Sequence, residues 1–255
     1  MVTGIDKFRA YFAGHEGKYA VIGGTACDLL FTEAGLTFRR TKDIDLVICV
    51  EVIDAEFGRQ IAEFIAAGGY KTKQRSDGSR QFHRFIEPTD QNFPYMLEVF
   101  TRGIALELND GDIVRIPAEE EAVSLSAILM NDDYFTALKD HIRVVQDVAV
   151  LDAVTLVPFK ARAHLDLAER RERGDSNVDR KAVNKHRADV FRLIQLFITG
   201  DRCPLPQSLQ HDMQRFIDKV AADPEFSTRD LETGFTVEQS LKILREVYLA
   251  DLSGA

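Results

Sequence analysis

Asp43-Ile44-Asp45-Leu46 decides how this chain is read, together with the stretch that leads into it, Tyr19-Ala20-Val21-Ile22-Gly23-Gly24-Thr25. Side chains along a strand alternate between faces, so Asp43 and Asp45 point one way and Ile44 and Leu46 the other. A buried strand fills both faces with apolar groups. Two carboxylates about 7 Å apart on one face repel each other unless a cation neutralises them. Magnesium suits the task, with manganese as its substitute, because it takes carboxylate oxygen and keeps positions open for phosphate. The competing reading is a strand end whose aspartates face solvent or cap a turn.

Upstream, Tyr19 to Ile22 is a short aromatic and β-branched run that reads as a buried strand. It stops at Gly23-Gly24, and Thr25-Ala26-Cys27-Asp28-Leu29-Leu30 continues as helix. Glycines at such a turn let backbone N–H groups approach a phosphate, and a helix N-terminus favours anions. An ordinary strand-to-helix turn would look the same. Downstream, Glu98 stands inside the apolar run Tyr95-Met96-Leu97-Glu98-Val99-Phe100. A carboxylate among buried residues needs a reason; on an edge strand it would simply face water.

The rest of the first 150 residues reads as α+β. A helix over 5–13 places Ile5, Phe8 and Phe12 on one side, and another over 54–67 carries Phe57, Ile61, Phe64 and Ile65. Tyr70–Arg75 and Arg80–Ile86 form a hairpin around Ser76-Asp77-Gly78-Ser79, and Asp112–Ile116 is a further strand. The sheet is mixed, with flanking helices. From 151 to 255 the pattern turns helical. Pro158 to Arg171, Arg180 to Ile198, Pro206 to Ala221 and Thr236 to Leu249 carry helical periodicity, and Thr236 with Gln239 makes a capping box before the last. The expected organisation is a catalytic domain over 1–150 and a helical subdomain over 151–255.

The glycine pair, the DxD some twenty residues later and the third acid on a later strand together resemble the polymerase-beta-like nucleotidyltransferase superfamily. Gly23-Gly24-Thr25-Ala26 and the Arg39-Arg40-Thr41-Lys42 run ahead of Asp43 bring the match closer to its AbiEii-like toxin branch, known from type IV toxin–antitoxin pairs. The resemblance implies transfer of a nucleotidyl group from a nucleoside triphosphate to an acceptor, with pyrophosphate leaving. It implies Asp43, Asp45 and Glu98 as catalytic and metal-binding acids, and Gly23, Gly24, Thr25 and Arg40 as nucleotide ligands. It reaches more weakly into the helical part, where Lys160 in Pro158-Phe159-Lys160-Ala161-Arg162 and Asp189 in Lys185-His186-Arg187-Ala188-Asp189 match nucleotide-binding positions. His186 stands where that branch often has an aspartate, which puts any role of that position in doubt. Surface roles are the plain alternatives for Arg39, Arg40, Lys160 and Asp189.

Composition narrows the classes. The 255 residues carry 32 Lys and Arg against 41 Asp and Glu, a net charge of −9. A surface that is basic all over is excluded, though a local basic face is not. Between 162 and 192 stand nine basic residues against six acids, which fits a solvated charged face as well as a phosphate or RNA surface. Cys27, Cys49 and Cys203 make no CxxC, so neither a disulfide scaffold nor a cysteine zinc site is expected. His83, His164 and His186 show no metal-ligand spacing. With no signal-peptide pattern and no apolar run long enough for a bilayer, the expected place is the cytoplasm, without a membrane partner. No P-loop or GxGxxG lies near the glycine turn, which disfavours kinase and NAD readings. Three functions remain: a toxin-like nucleotidyltransferase acting on RNA or nucleotide with an antitoxin partner, a small-molecule nucleotidyltransferase of the aminoglycoside-modifying kind, and a non-catalytic nucleotide-binding protein on the same fold.

Overall fold

The computed structural model describes residues 2–50, 54–74, 82–102, 114–115, 120–198 and 200–249. The expected hairpin loop Ser76-Asp77-Gly78-Ser79 lies outside the described residues, as does most of the expected strand 112–116. In chain order the elements are α1 (Ile5–Phe12), β1 (Tyr19–Ile22), α2 (Gly23–Glu33), β2 (Asp43–Ile48), α3 (Ala55–Gly68), β3 (Lys71–Gln74), β4 (Phe82–Ile86), β5 (Met96–Phe100) and β6 (Val114–Arg115). Then follow α4 (Glu120–Leu129), α5 (Asp132–Asp140), β7 (Ile142–Val145), β8 (Val148–Leu151), α6 (Ala153–Glu172), α7 (Arg180–Leu193), α8 (Gln207–Ala221) and α9 (Val237–Tyr248). The fold is α+β: a mixed sheet with helices, followed by a helical part. Among the described residues no helix is long and apolar enough to cross a membrane.

The chain falls into two compact units. One comprises Met1–Ala118 and His141–Asp152, the other Glu119–Asp140 and Ala153–Ala255.

The first unit is built on a sheet of order β6-β3-β4-β5-β2-β1-β8-β7. β2 pairs in parallel with β5, and β1 runs antiparallel to β2. All residues of β1, β5 and β8 are buried; strands covered on both faces read as apolar runs, which in β5 is broken by Glu98. β2 differs. Asp43 and Asp45 are only half-buried while Ile44 and Leu46 are buried, so the pleat separates acids from apolar groups as the sequence requires. Phe8 and Phe12 of α1 meet Phe64 of α3 edge-on, with ring centroids 5.9 and 5.5 Å apart. Such aromatic pairs contribute beyond their buried area. α3 starts where the Asp54 carboxylate accepts the Phe57 amide at 2.9 Å.

The strand pair β7–β8 was not foreseen from the sequence. Its two-residue turn, Gln146-Asp147, has φ of +48° and +61°. Hairpins this tight need such angles to match the twist of their strands. β8 then joins β1 in parallel, with Val150 opposite Val21.

The second unit is helical. α6 begins five residues ahead of the expected start, with Pro158 inside it rather than at its first turn. Proline has no N–H to offer the carbonyl four residues back, which costs a helix a hydrogen bond. That carbonyl belongs to Val154, and the Tyr248 hydroxyl of α9 donates to it at 2.6 Å. The interruption is thereby satisfied from another helix. Leu167 and Ala168 of α6 form a buried cluster with Val178 and Val183. The capping box ahead of α9 is present, with Thr236 and Gln239 bonding reciprocally.

Candidate active site

The sheet register assembles the site in the first unit. Residues directly opposite on adjacent strands project to the same face. Asp45 of β2 faces Glu98 of β5, and Glu98 in turn faces Arg84 of β4. One row across three strands therefore carries acid, acid and base. Ile22, the last residue of β1, faces Asp45 from the other side, so the Gly23-Gly24 turn opens beside that carboxylate.

The turn is built for close approach. Gly23 has φ of +70°, and a Cβ placed on it would lie 1.8 Å from Asp45 Oδ2. Only glycine fits both the angle and the contact. A Cβ on Gly24 would come within 2.7 Å of Thr41 Oγ1. The buried Thr25 hydroxyl donates to the Asp43 carbonyl at 2.5 Å, which ties the first turn of α2 to the start of β2. Ile22 offers that helix no side-chain cap, so its opening amides are left for another acceptor. Arg40 is exposed on the connection between α2 and β2, and the guanidinium of Arg39 lies over the Phe38 ring at 5.0 Å.

Glu98 is 5% exposed and Arg84 6%. Nε of Arg84 donates to Glu98 Oε1 at 2.6 Å, and Nη2 reaches the same oxygen at 2.5 Å. Glu98 lies directly opposite Asp45 in the sheet. Burial holds the Glu98 carboxyl well above its ordinary value, the Asp45 charge raises it further, and Arg84 pulls it down. Arg84 was missed by sequence reading. The signal was available: Phe82-His83-Arg84-Phe85-Ile86 sets a charge in an apolar strand just as Glu98 does.

Asp43 and Asp45 fit a divalent ion, being half-buried carboxylates on one strand face beside uncapped amides. Glu98 fits less well as a third ligand, because Arg84 already holds one of its oxygens. Among the described residues, no three of His, Cys, Asp and Glu are grouped so as to hold a metal ion.

Lys160 and Asp189 lie together in the second unit. Lys160 Nζ is 3.2 Å from Asp189 Oδ2, with the side chains 7% and 0% exposed, and Arg192 reaches Asp189 Oδ1 at 3.4 Å. Neither is a surface residue. The basic stretch around them is mostly engaged: Arg162 pairs with Asp212, Arg170 with Asp175 and Arg187 with Asp223. His164 is buried and its Nδ1 meets the Val183 carbonyl at 3.0 Å. Burial pushes this imidazole down to about 4. His83, at 5% exposure, stacks near Phe85.

No protein-family model matches the chain. No curated protein matches it either. Among solved structures, an antigenic nucleotidyltransferase-like protein from Paracoccidioides brasiliensis is similar at 16% identity, covering 88% of this chain and 84% of that one, with a TM-score of 0.40. The protein JHP933 from Helicobacter pylori is similar at 11% identity, covering 94% and 86%, with a TM-score of 0.31. Likenesses this distant carry no argument about what the chain does.

Proposed function

We propose that the first unit is a nucleotidyl-transfer centre: an acceptor hydroxyl attacks the α-phosphorus of a nucleoside triphosphate, the bond to the β-phosphate breaks, and pyrophosphate leaves. One observation carries this reading: the Asp45 carboxylate lies against Gly23 at the uncapped start of α2. The amides attract a phosphate while the adjacent acids repel it, a conflict that a divalent cation on the acids resolves. Magnesium on Asp43 and Asp45 would supply that neutralisation. The amides of Gly23, Gly24 and Thr25 receive phosphate oxygens at the helix N-terminus. Thr25, bonded to the Asp43 carbonyl, fixes that turn against the acids. Glu98, placed by the register beside Asp45, is the base within reach of an acceptor hydroxyl. Positioning and charge neutralisation account for the rate, without a covalent intermediate.

The acceptor in this reading is RNA or a nucleotide, as in the toxin-like branch; a small polar molecule is the competing acceptor. Incubating the purified chain with each α-labelled nucleoside triphosphate, magnesium and total RNA separates them on a gel. We expect label on RNA from one preferred triphosphate. Asp45→Asn should lower the rate at least about 1,000-fold, the scale on which charge stabilisation acts, with an unchanged circular dichroism spectrum. Near-normal turnover in that variant would sink the assignment.

A further inference from the structure

We propose that Arg84 is a resident cation that stands in for a second metal ion, so that the centre holds a single divalent ion, on Asp43 and Asp45. The inference rests on the nucleotidyl-transfer reading and goes beyond it. The placement of Arg84 is set by the sheet, because β4 and β5 pair with Arg84 opposite Glu98. Two guanidinium nitrogens converge on one carboxylate oxygen, and both side chains are 7% exposed. Guanidinium keeps its charge at any accessible pH, so this cation is permanent.

The pairing points the same way. Glu98 and Arg84 make a buried pair of their own, which leaves the divalent ion to Asp43 and Asp45. A second divalent ion at Glu98 would have to displace Arg84. That would strand a buried guanidinium away from its carboxylate, a change that is costly in a protein interior. Arg84 is thus a positioning residue. It holds Glu98 beside Asp45 and occupies the place from which a second ion would act.

The test counts ions. Manganese bound to the full chain is measured by electron paramagnetic resonance with a non-hydrolysable nucleoside triphosphate in place. We expect one ion per chain in the wild type and two in Arg84→Met. Arg84→Lys keeps a cation at the position and should return the count to one, an outcome that a merely structural role would not produce. Two ions in the wild type, or an unchanged count in a folded Arg84→Met, overturns the proposal. If Arg84→Met does not fold, Arg84→Gln, which keeps a hydrogen-bond donor but no charge, is counted in its place: two ions are expected, and one overturns the proposal. Two ions together with normal transfer to RNA overturns the resident cation alone. One ion with no transfer to any acceptor overturns the nucleotidyl-transfer reading instead.

Discussion

The two units bury charge in opposite proportions. In the first, two carboxylates, Asp45 and Glu98, face each other in the sheet, and one guanidinium, Arg84, pairs with Glu98. In the second, one carboxylate, Asp189, meets two cations, Lys160 and Arg192. An acid-rich cluster is stabilised by a proton or an added cation; a base-rich one depends on its single acid. The means also differ. Sheet register lines up residues from three strands, whereas the helical unit combines an i,i+3 contact on α7 with a lysine from α6. Removing one acid should therefore have unlike consequences in the two places.

The largest effect is expected where the acid is outnumbered. Asp189→Asn removes the carboxylate paired with the buried Lys160 ammonium and should cost about 3–5 kcal/mol, measured by urea denaturation. Combining it with Lys160→Met should recover most of that loss. A cost below about 1 kcal/mol would mean that the lysine finds water, and the contrast would fail.

The pH slopes sharpen the comparison. His164 is neutral in the fold, with its value pushed from 6.5 down to about 4 by burial. The unfolded chain takes up a proton first, so stability is complete above pH 6.5 and drains away as pH falls toward 4. The loss should approach about 3 kcal/mol, and His164→Gln should flatten it. Glu98 has the reverse sign. Its value is raised above 4.5, chiefly by burial and then by Asp45, so its contribution is present at low pH and lost as pH rises through the raised value.

The smallest effect on stability is expected for Asp45→Asn, the same change that should abolish transfer. It removes one of two adjacent like charges and leaves Arg84 with Glu98. Denaturation midpoints should move by less than about 1 kcal/mol, with the Glu98 loss made smaller and ending at lower pH, because the Asp45 charge that raises its value is gone. A loss as large as that of Asp189→Asn would erase the difference between the two units.

Much of the site was legible because it depends on local pattern. The alternation of Asp43-Ile44-Asp45-Leu46 placed both acids on one face, and β1 starts and stops where its apolar run does. Three features were not legible. β8 is a four-residue apolar run that merges with the start of α6 in sequence, and only its pairing with β1 separates it. Pro158 reads as a helix start because the hydroxyl that satisfies Val154 comes from ninety-four residues away. The basic stretch from 162 to 192 appears free until Asp212 and Asp223 arrive from later in the chain. Each was settled by a distant partner, which periodicity does not report.

The division of the chain has a consequence for its synthesis. The first unit is interrupted by Glu119–Asp140 and completed only by His141–Asp152. As the nascent chain leaves the ribosome, β1 has β2 on one side and nothing on the other until β8 emerges. All four of its residues are apolar enough to be buried in the finished sheet, and an open edge of that kind recruits other strands. A chain stalled or cut ahead of His141 should therefore aggregate or bind chaperones. α4 and α5, made before β8, must meanwhile wait for helices that have not been translated.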